Sequence, residues 1–174
     1  MKLRHLAIAS TMLLATAGIA ASQDAKLTDP QIAHIAYTAD NIDIEAGKLA
    51  LQKSKNPAVR EFASEMVRDH EAVNGKALAL VKKLGVTPEQ NATSDSLSKQ
   101  AAETRASLEK LDGKAFDKAY VANEVAYHGA VNTALKTSLI PSADNGELKS
   151  LLETGLTLFS EHQKHAEHLS ASLK

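Results

Sequence analysis

The fold is decided by the stretch NPAVREFASEMVRDHEAV, residues 56–73. Its opening pair, Asn56 and Pro57, is typical of a helix start, because the Asn side chain caps free N–H groups and Pro lacks the N–H that would be unpaired there. Apolar side chains then recur at helical spacing, at Val59, Phe62, Ala63, Met66 and Val73. His70 lies on the same face. The stretch therefore predicts an amphipathic helix that directs a histidine into an apolar interior.

The same periodicity continues along the rest of the chain, and no strand-like alternation of apolar and polar residues persists. Thr28 and Gln31 have the spacing of a capping box, Gly85 is placed to end the second helix, and Asp144 with Glu147 is the expected capping pair of the last helix. The expected helices begin at 28, 56, 96, 114 and 147, and the expected turns are 54–57, 112–113 and 141–146. The sequence predicts an all-α four-helix bundle with one short extra helix.

The long link 86–113 determines how the helices connect. In a ferritin-like arrangement this link, with its short helix, crosses the length of the bundle, so that the third long helix begins near the 54–57 turn. At 1.5 Å per residue, counting along each helix then places five polar residues in one layer about 6 Å deep. These residues are Glu45, His70, Glu124, His128 and His162.

Histidines and carboxylates on apolar faces predict a candidate metal site. His70, His128 and His162 each lie on the stripe of a different helix, and Glu45 lies at the edge of the first stripe. Glu124 is one turn before His128, and His165 is one turn after His162, within reach of a shared ion. Burying such groups is costly unless they are paired or bind a cation. Imidazole and carboxylate suit one zinc, copper or iron ion.

Three alternatives remain open at this point. The inward histidines bind a metal, or they form a closed hydrogen-bond network with Glu45, Glu124 or a Tyr hydroxyl in a non-enzymatic interaction or envelope-stress protein, or they serve a hydrolase or redox enzyme. A di-iron centre is not expected, because the Glu-x-x-His spacing fails: Val67 and Phe159 stand three residues before His70 and His162. No catalytic residue is assigned.

Several segments together resemble a known family. They are IEAGKLA at 44–50, VREFASEMVRDH at 59–70, FDKAY at 116–120 followed by His128, and His162. The chain resembles, over about residues 30–169, a ferritin-like family of exported bacterial proteins that is often labelled as outer membrane proteins and has no established activity. The resemblance implies a secreted helical bundle, with Glu45, His70, His128 and His162 at the recurring polar positions.

The N-terminus and the composition indicate where the protein acts. Residues 1–22 have a basic start, an apolar run of about 15 residues and small residues near the end, as in a secretory signal peptide. We expect one helical domain over 23–174, periplasmic or secreted, without a transmembrane segment. The chain has no Cys, which excludes a lipoprotein anchor and disulfides. Few aromatic residues and a net charge of −1 argue against a nucleic-acid partner. No protein partner is indicated.

Overall fold

The computed structural model describes residues 26–173, so the predicted signal peptide lies outside the described residues. All regular structure within this range is helical. The elements are α1 (Asp29–Lys53), α2 (Pro57–Leu84), α3 (Ala92–Leu108), α4 (Gly113–Ala134), a π-helical segment (Leu135–Leu139), α5 (Ile140–Ser142) and α6 (Gly146–Ser172). The predicted all-α class is confirmed.

Local capping explains where the long helices begin. The Thr28 hydroxyl accepts the backbone N–H of Gln31, and the Gln31 side chain accepts the N–H of Thr28, so the predicted capping box is present. Asn56 caps α2 as expected, and Gly85 ends it in the left-handed conformation at φ 64°. The cap of α6 was predicted wrongly. It is Asn145, not Asp144, that accepts the first N–H groups of this helix.

Two other boundaries differ from the prediction. The short helix begins at Ala92 rather than at 96, because Asn91 caps it. The third long helix does not stop at 139, since the π-helical segment and α5 carry helical backbone through Pro141 to Ser142. A π turn changes the hydrogen-bond spacing, which lets the chain continue helically into a proline that lacks a backbone N–H.

The crossover runs from one end of the bundle to the other, as the link length predicts. At its start, the Glu89 N–H donates to the carbonyl of Pro30, at the beginning of α1. At its end, Asp112 forms an ion pair with Lys53 at 3.0 Å, at the end of α1. Helix α3 lies along α1 between these points. Helix α4 therefore starts beside the 54–57 turn.

The bundle has two apolar regions with a polar layer between them. The region near the 54–57 turn includes Phe62, Met66 and Phe116, whereas the region near the start of α1 includes Ile32 and Leu135. The layer between them contains Asp43, His70, Glu124, His128 and His162, each 3% exposed or less. No described helix is long and apolar enough to cross a membrane.

Close contact between α1 and α2 fixes the position of α1 at this layer. A Cβ atom on Gly47 would lie 2.9 Å from the Val67 Cγ2 atom and 3.0 Å from the Ala63 carbonyl oxygen. Only glycine fits without a shift of one helix, since both distances are below ordinary van der Waals contact. Asp43 lies one turn before Gly47, on the same face of α1. The small residue thus brings the Asp43 carboxylate close to α2.

Candidate metal centre

Three buried histidines meet in the polar layer, one from each of α2, α4 and α6. His70 is 3% exposed, and His128 and His162 are 1% exposed. Their ring centroids are 5.3 to 5.7 Å apart. Each ring contributes one nitrogen to a group of three nitrogens that all lie within 4.8 Å of one another. The structure therefore brings together the three histidines that the sequence predicted to face inward.

Each histidine is oriented by a hydrogen bond from one ring nitrogen. His70 donates through Nδ1 to Asp40 at 2.9 Å, and His162 donates through Nε2 to Asp69 at 3.1 Å. His128 donates through Nδ1 to the backbone carbonyl oxygen of Glu124 at 3.0 Å. These bonds select which nitrogen of each ring faces the other two. Histidines that bind metals in proteins are held in this way, by a carboxylate or carbonyl on the second nitrogen.

The other nitrogen of each ring has no hydrogen-bond partner among the described residues. These atoms are Nε2 of His70, Nε2 of His128 and Nδ1 of His162. Buried polar atoms without partners are rare in folded proteins, because each costs about 1 to 3 kcal/mol. Three such nitrogens at one point form a set of donors for a cation.

Helix α1 supplies a carboxylate to two of these histidines. Asp43, 1% exposed, has its Oδ2 atom 2.8 Å from Nε2 of His70 and 3.2 Å from Nε2 of His128. These are ion-pair distances, although neither contact is directed as a hydrogen bond. Each of the four long helices thus places at least one imidazole or carboxylate in the layer.

Asp43 is not among the site residues predicted from the sequence. The prediction placed Glu45 at the edge of the apolar stripe of α1, whereas the face that meets the layer runs through Ala39, Asp43 and Gly47. The spacing of four residues between these positions was the available signal. Two aspartates at Asp40 and Asp43 on a mostly apolar helix would have supported it.

Glu45 does not reach the histidines. Its side chain is 54% exposed and forms ion pairs with Arg105 of α3 at 3.1 Å and with Lys48 at 3.5 Å. The expectation that Glu45 faces inward is therefore corrected, because it lies on the side of α1 that α3 covers. Exposed pairs of this kind contribute little to stability.

His165 also lies outside the histidine cluster. Its Nδ1 atom donates to Glu65 of α2 at 2.7 Å, and its side chain is 43% exposed. One edge of the ring packs on Phe62, with centroids 5.1 Å apart. The structure places it at the solvent-facing rim between α2 and α6, one turn beyond His162.

Glu124 lies in the layer, as the sequence predicted. It is fully buried, and both carboxylate oxygens lack hydrogen-bond partners among the described residues. One oxygen lies 3.6 Å from Nδ1 of His128. Burial and the charge of Asp43 raise the pKa of Glu124 well above its ordinary value.

Charge in the layer is balanced between the aspartates and His70. Burial disfavours the charged form of His70, but Asp40 and Asp43 on its two sides raise its pKa to about 10. Burial likewise opposes ionisation of Asp43, but contacts with His128 and His70 lower its pKa well below the ordinary value. Burial lowers the pKa of His162, and the bond to Asp69 only partly offsets this. The metal-free layer thus holds a charged His70 at neutral pH.

This donor set fits a transition-metal ion. Three imidazole nitrogens and one carboxylate oxygen suit zinc, copper or iron. Zinc–nitrogen bonds of about 2.0 to 2.1 Å would place tetrahedral ligand atoms about 3.3 Å apart, and the nitrogens lie within 4.8 Å of one another, so a bound ion would draw the rings together. Phe159 stacks on His70 at 4.6 Å between centroids and closes one side of the cluster.

The fold and the site define an all-helical bundle with a buried cluster of histidines and carboxylates. The chain belongs to the family described as Domain of unknown function (DUF4142), which matches residues 14–169. The expectation of a family without an established activity is confirmed, and the ferritin-like assignment stays a prediction.

One solved structure with a similar fold is described as CopM in the Cu(II)-bound form. The TM-score is 0.65 and the sequence identity 14%, over 86% of this chain and 100% of that chain. At this identity the similarity shows the helical fold alone. No curated protein matches the sequence.

Proposed function

We propose that this protein is an exported helical bundle that binds one transition-metal ion in its interior. The proposed ligands are His70, His128 and His162, with Asp43 as the fourth. The observation that carries the proposal is the state of the three clustered rings: each has one nitrogen held by an acceptor and the other without a hydrogen-bond partner, and one nitrogen of each ring lies within 4.8 Å of the others. Hydrogen bonding within the layer alone does not account for three unpartnered nitrogens.

Copper is the first candidate ion, and zinc and iron follow. Imidazole binds all three metals, and the described structure of a bundle with this fold holds Cu(II). The signal-peptide-like residues 1–22 support export, where an interior copper site would sequester or carry the ion. Glu124 stands behind His128 as a further carboxylate near the ion.

Binding requires exchange of protons for metal. In the metal-free layer the proton on His70 neutralises part of the charge of Asp40 and Asp43. A bound cation neutralises these carboxylates in place of the proton. Metal binding therefore releases protons, and the affinity for the metal decreases as pH falls.

The charges of His70, Asp40 and Asp43 also favour a second, purely structural function for the layer. Charged His70 lies between Asp40 and Asp43, at 2.9 and 2.8 Å, and forms an ion pair with each of them without any metal. In that case the layer only fixes the register of the helices in a non-enzymatic interaction or envelope-stress protein.

Elemental analysis of protein purified without an affinity tag separates these functions. We expect one equivalent of metal that survives dialysis in the wild type and in Glu45→Gln, and loss of it in His128→Ala and Asp43→Asn. Absence of metal, together with melting that is unchanged by added copper or zinc, would establish the structural network instead.

A further inference from the structure

The rim between α2 and α6 carries a second group of metal-ligating side chains. Glu65 and Asp69 lie one turn apart on α2 and face His162 and His165, one turn apart on α6. Glu65, Asp69 and His162 each offer an atom within 4.8 Å of the others. Two facing helices with ligands at these spacings can chelate one cation.

Exposure decreases stepwise from this rim to the interior. The side chain of His165 is 43% exposed, that of Glu65 29% and that of Asp69 18%, whereas that of His162 is 1% exposed. The remaining interior ligands are as buried as His162. The rim therefore connects the interior cluster to groups that solvent and ions can reach.

His162 belongs to both groups. Its Nε2 atom faces Asp69 at the rim, and its Nδ1 atom is the unpartnered nitrogen that faces the interior histidines. One imidazole ring thus separates the rim carboxylates from the interior donors. An ion held at the rim has only this ring between it and the interior cluster.

We propose that Glu65, Asp69 and His165, together with Nε2 of His162 when the ring proton has moved to Nδ1, form a solvent-accessible site for a divalent transition-metal ion, and that this site loads the interior centre past His162 as the proton returns to Nε2. The delivery step rests on the proposed function, whereas binding at the rim does not. The carboxylates attract the cation from solution, and the two imidazoles make the site selective for transition metals over calcium or magnesium.

Arg68 opposes binding at the rim. Its guanidinium holds Asp69 through Nε at 2.7 Å and through a second nitrogen at 3.0 Å, and its side chain is 70% exposed. An exposed ion pair of this kind is weak and can open when a cation arrives. Arg68→Gln should therefore speed metal uptake without touching a ligand.

Proton NMR of the histidine rings with Cu(II) alone tests the rim site. The protein used is His128→Ala, which lacks an interior ligand, with His128→Gln as the substitute if the Ala variant does not fold. We expect Cu(II), added at well below one equivalent, to broaden the His165 signals. Adding Glu65→Gln and Asp69→Asn together to this variant should remove the broadening. His168, exposed on the same helix, is the internal control. Equal broadening of His165 and His168 would refute the rim site.

Stopped-flow uptake of zinc from a chromophoric chelator tests delivery in the full chain. The double variant Glu65→Gln, His165→Gln leaves the Asp69–His162 bond intact. We expect this double variant to take up zinc about tenfold more slowly or slower still, because the negative charge that attracts the cation is reduced. The amount of metal bound at the end should be unchanged. Uptake at the wild-type rate would refute delivery. A wild-type chain that takes up no metal would refute the proposed function and delivery together, while the NMR experiment still decides the rim site.

Discussion

Replacement of Asp43 by Asn is the sharpest perturbation of the interior layer. The substitution keeps the shape of the side chain and removes its charge. Asp43 is 1% exposed and lies 2.8 Å from Nε2 of His70 and 3.2 Å from Nε2 of His128. It is therefore both the carboxylate nearest to the proposed ion and half of a buried ion pair in the metal-free protein.

The size of the effect follows from these contacts. Removal of one partner from a buried ion pair costs about 3 to 5 kcal/mol. Asp40 still faces the other nitrogen of His70, so we expect the lower end, about 3 kcal/mol at pH 7 in the metal-free protein. For a domain of this size that lowers the Tm by roughly 6 to 12 °C. Metal affinity should fall at least about tenfold, since loss of even an outer partner of a ligand has that effect.

Urea unfolding with a chelator present, followed by metal titration, measures both quantities. Glu45→Gln is the matched control: it lies on the same helix, is exposed, and should change the free energy of unfolding by less than about 0.5 kcal/mol. The loss in free energy of unfolding caused by Asp43→Asn should become smaller near pH 10, where His70 loses the charge that Asp43 faces. If Asp43→Asn and Glu45→Gln behave alike in stability and in metal binding, the assignment of Asp43 to the layer is wrong.

Three further predictions concern the same layer. The His70 pKa is raised from 6.5 to about 10, so its contribution to metal-free stability is complete below pH 6.5 and lost as pH rises towards 10; NMR titration of its ring should give a pKa far above that of His162. His128→Ala and His162→Ala act on one cluster, so their double variant should be barely less stable than either single variant, and additivity within about 0.5 kcal/mol would contradict a shared site. Gly47→Ala should cost about 1 to 3 kcal/mol and weaken metal binding, because its Cβ atom would push α1 from α2. Gly75→Ala, with open space around it, should instead stabilise the helix by about 0.5 to 1 kcal/mol in thermal unfolding, and equal effects at the two glycines would contradict the close contact at Gly47.

Local chemistry explains which parts of the fold could be predicted. Helix periodicity and the caps at Thr28 and Asn56 depend on residues within four positions of each other, so the sequence alone contains them. The crossover could be predicted because the length of the link 86–113 limits where α4 can begin. The π-helical segment before Pro141 could not be predicted, because the hydrogen-bond spacings of an α-helix and of a π-helix both fit the same apolar pattern there.

For the candidate site, the sequence determined which histidines face inward, because His70, His128 and His162 each continue an unambiguous apolar stripe. It did not determine the contribution of α1. That helix has apolar residues on two faces, since α2 covers one side and α3 the other, and both Glu45 and Asp43 fit a helical spacing. Only the tertiary structure decided between them. Gly47 allows α1 to approach α2 closely, and the contacts with His70 and His128 offset the cost of burying Asp43, whereas Glu45 stays in water beside Arg105.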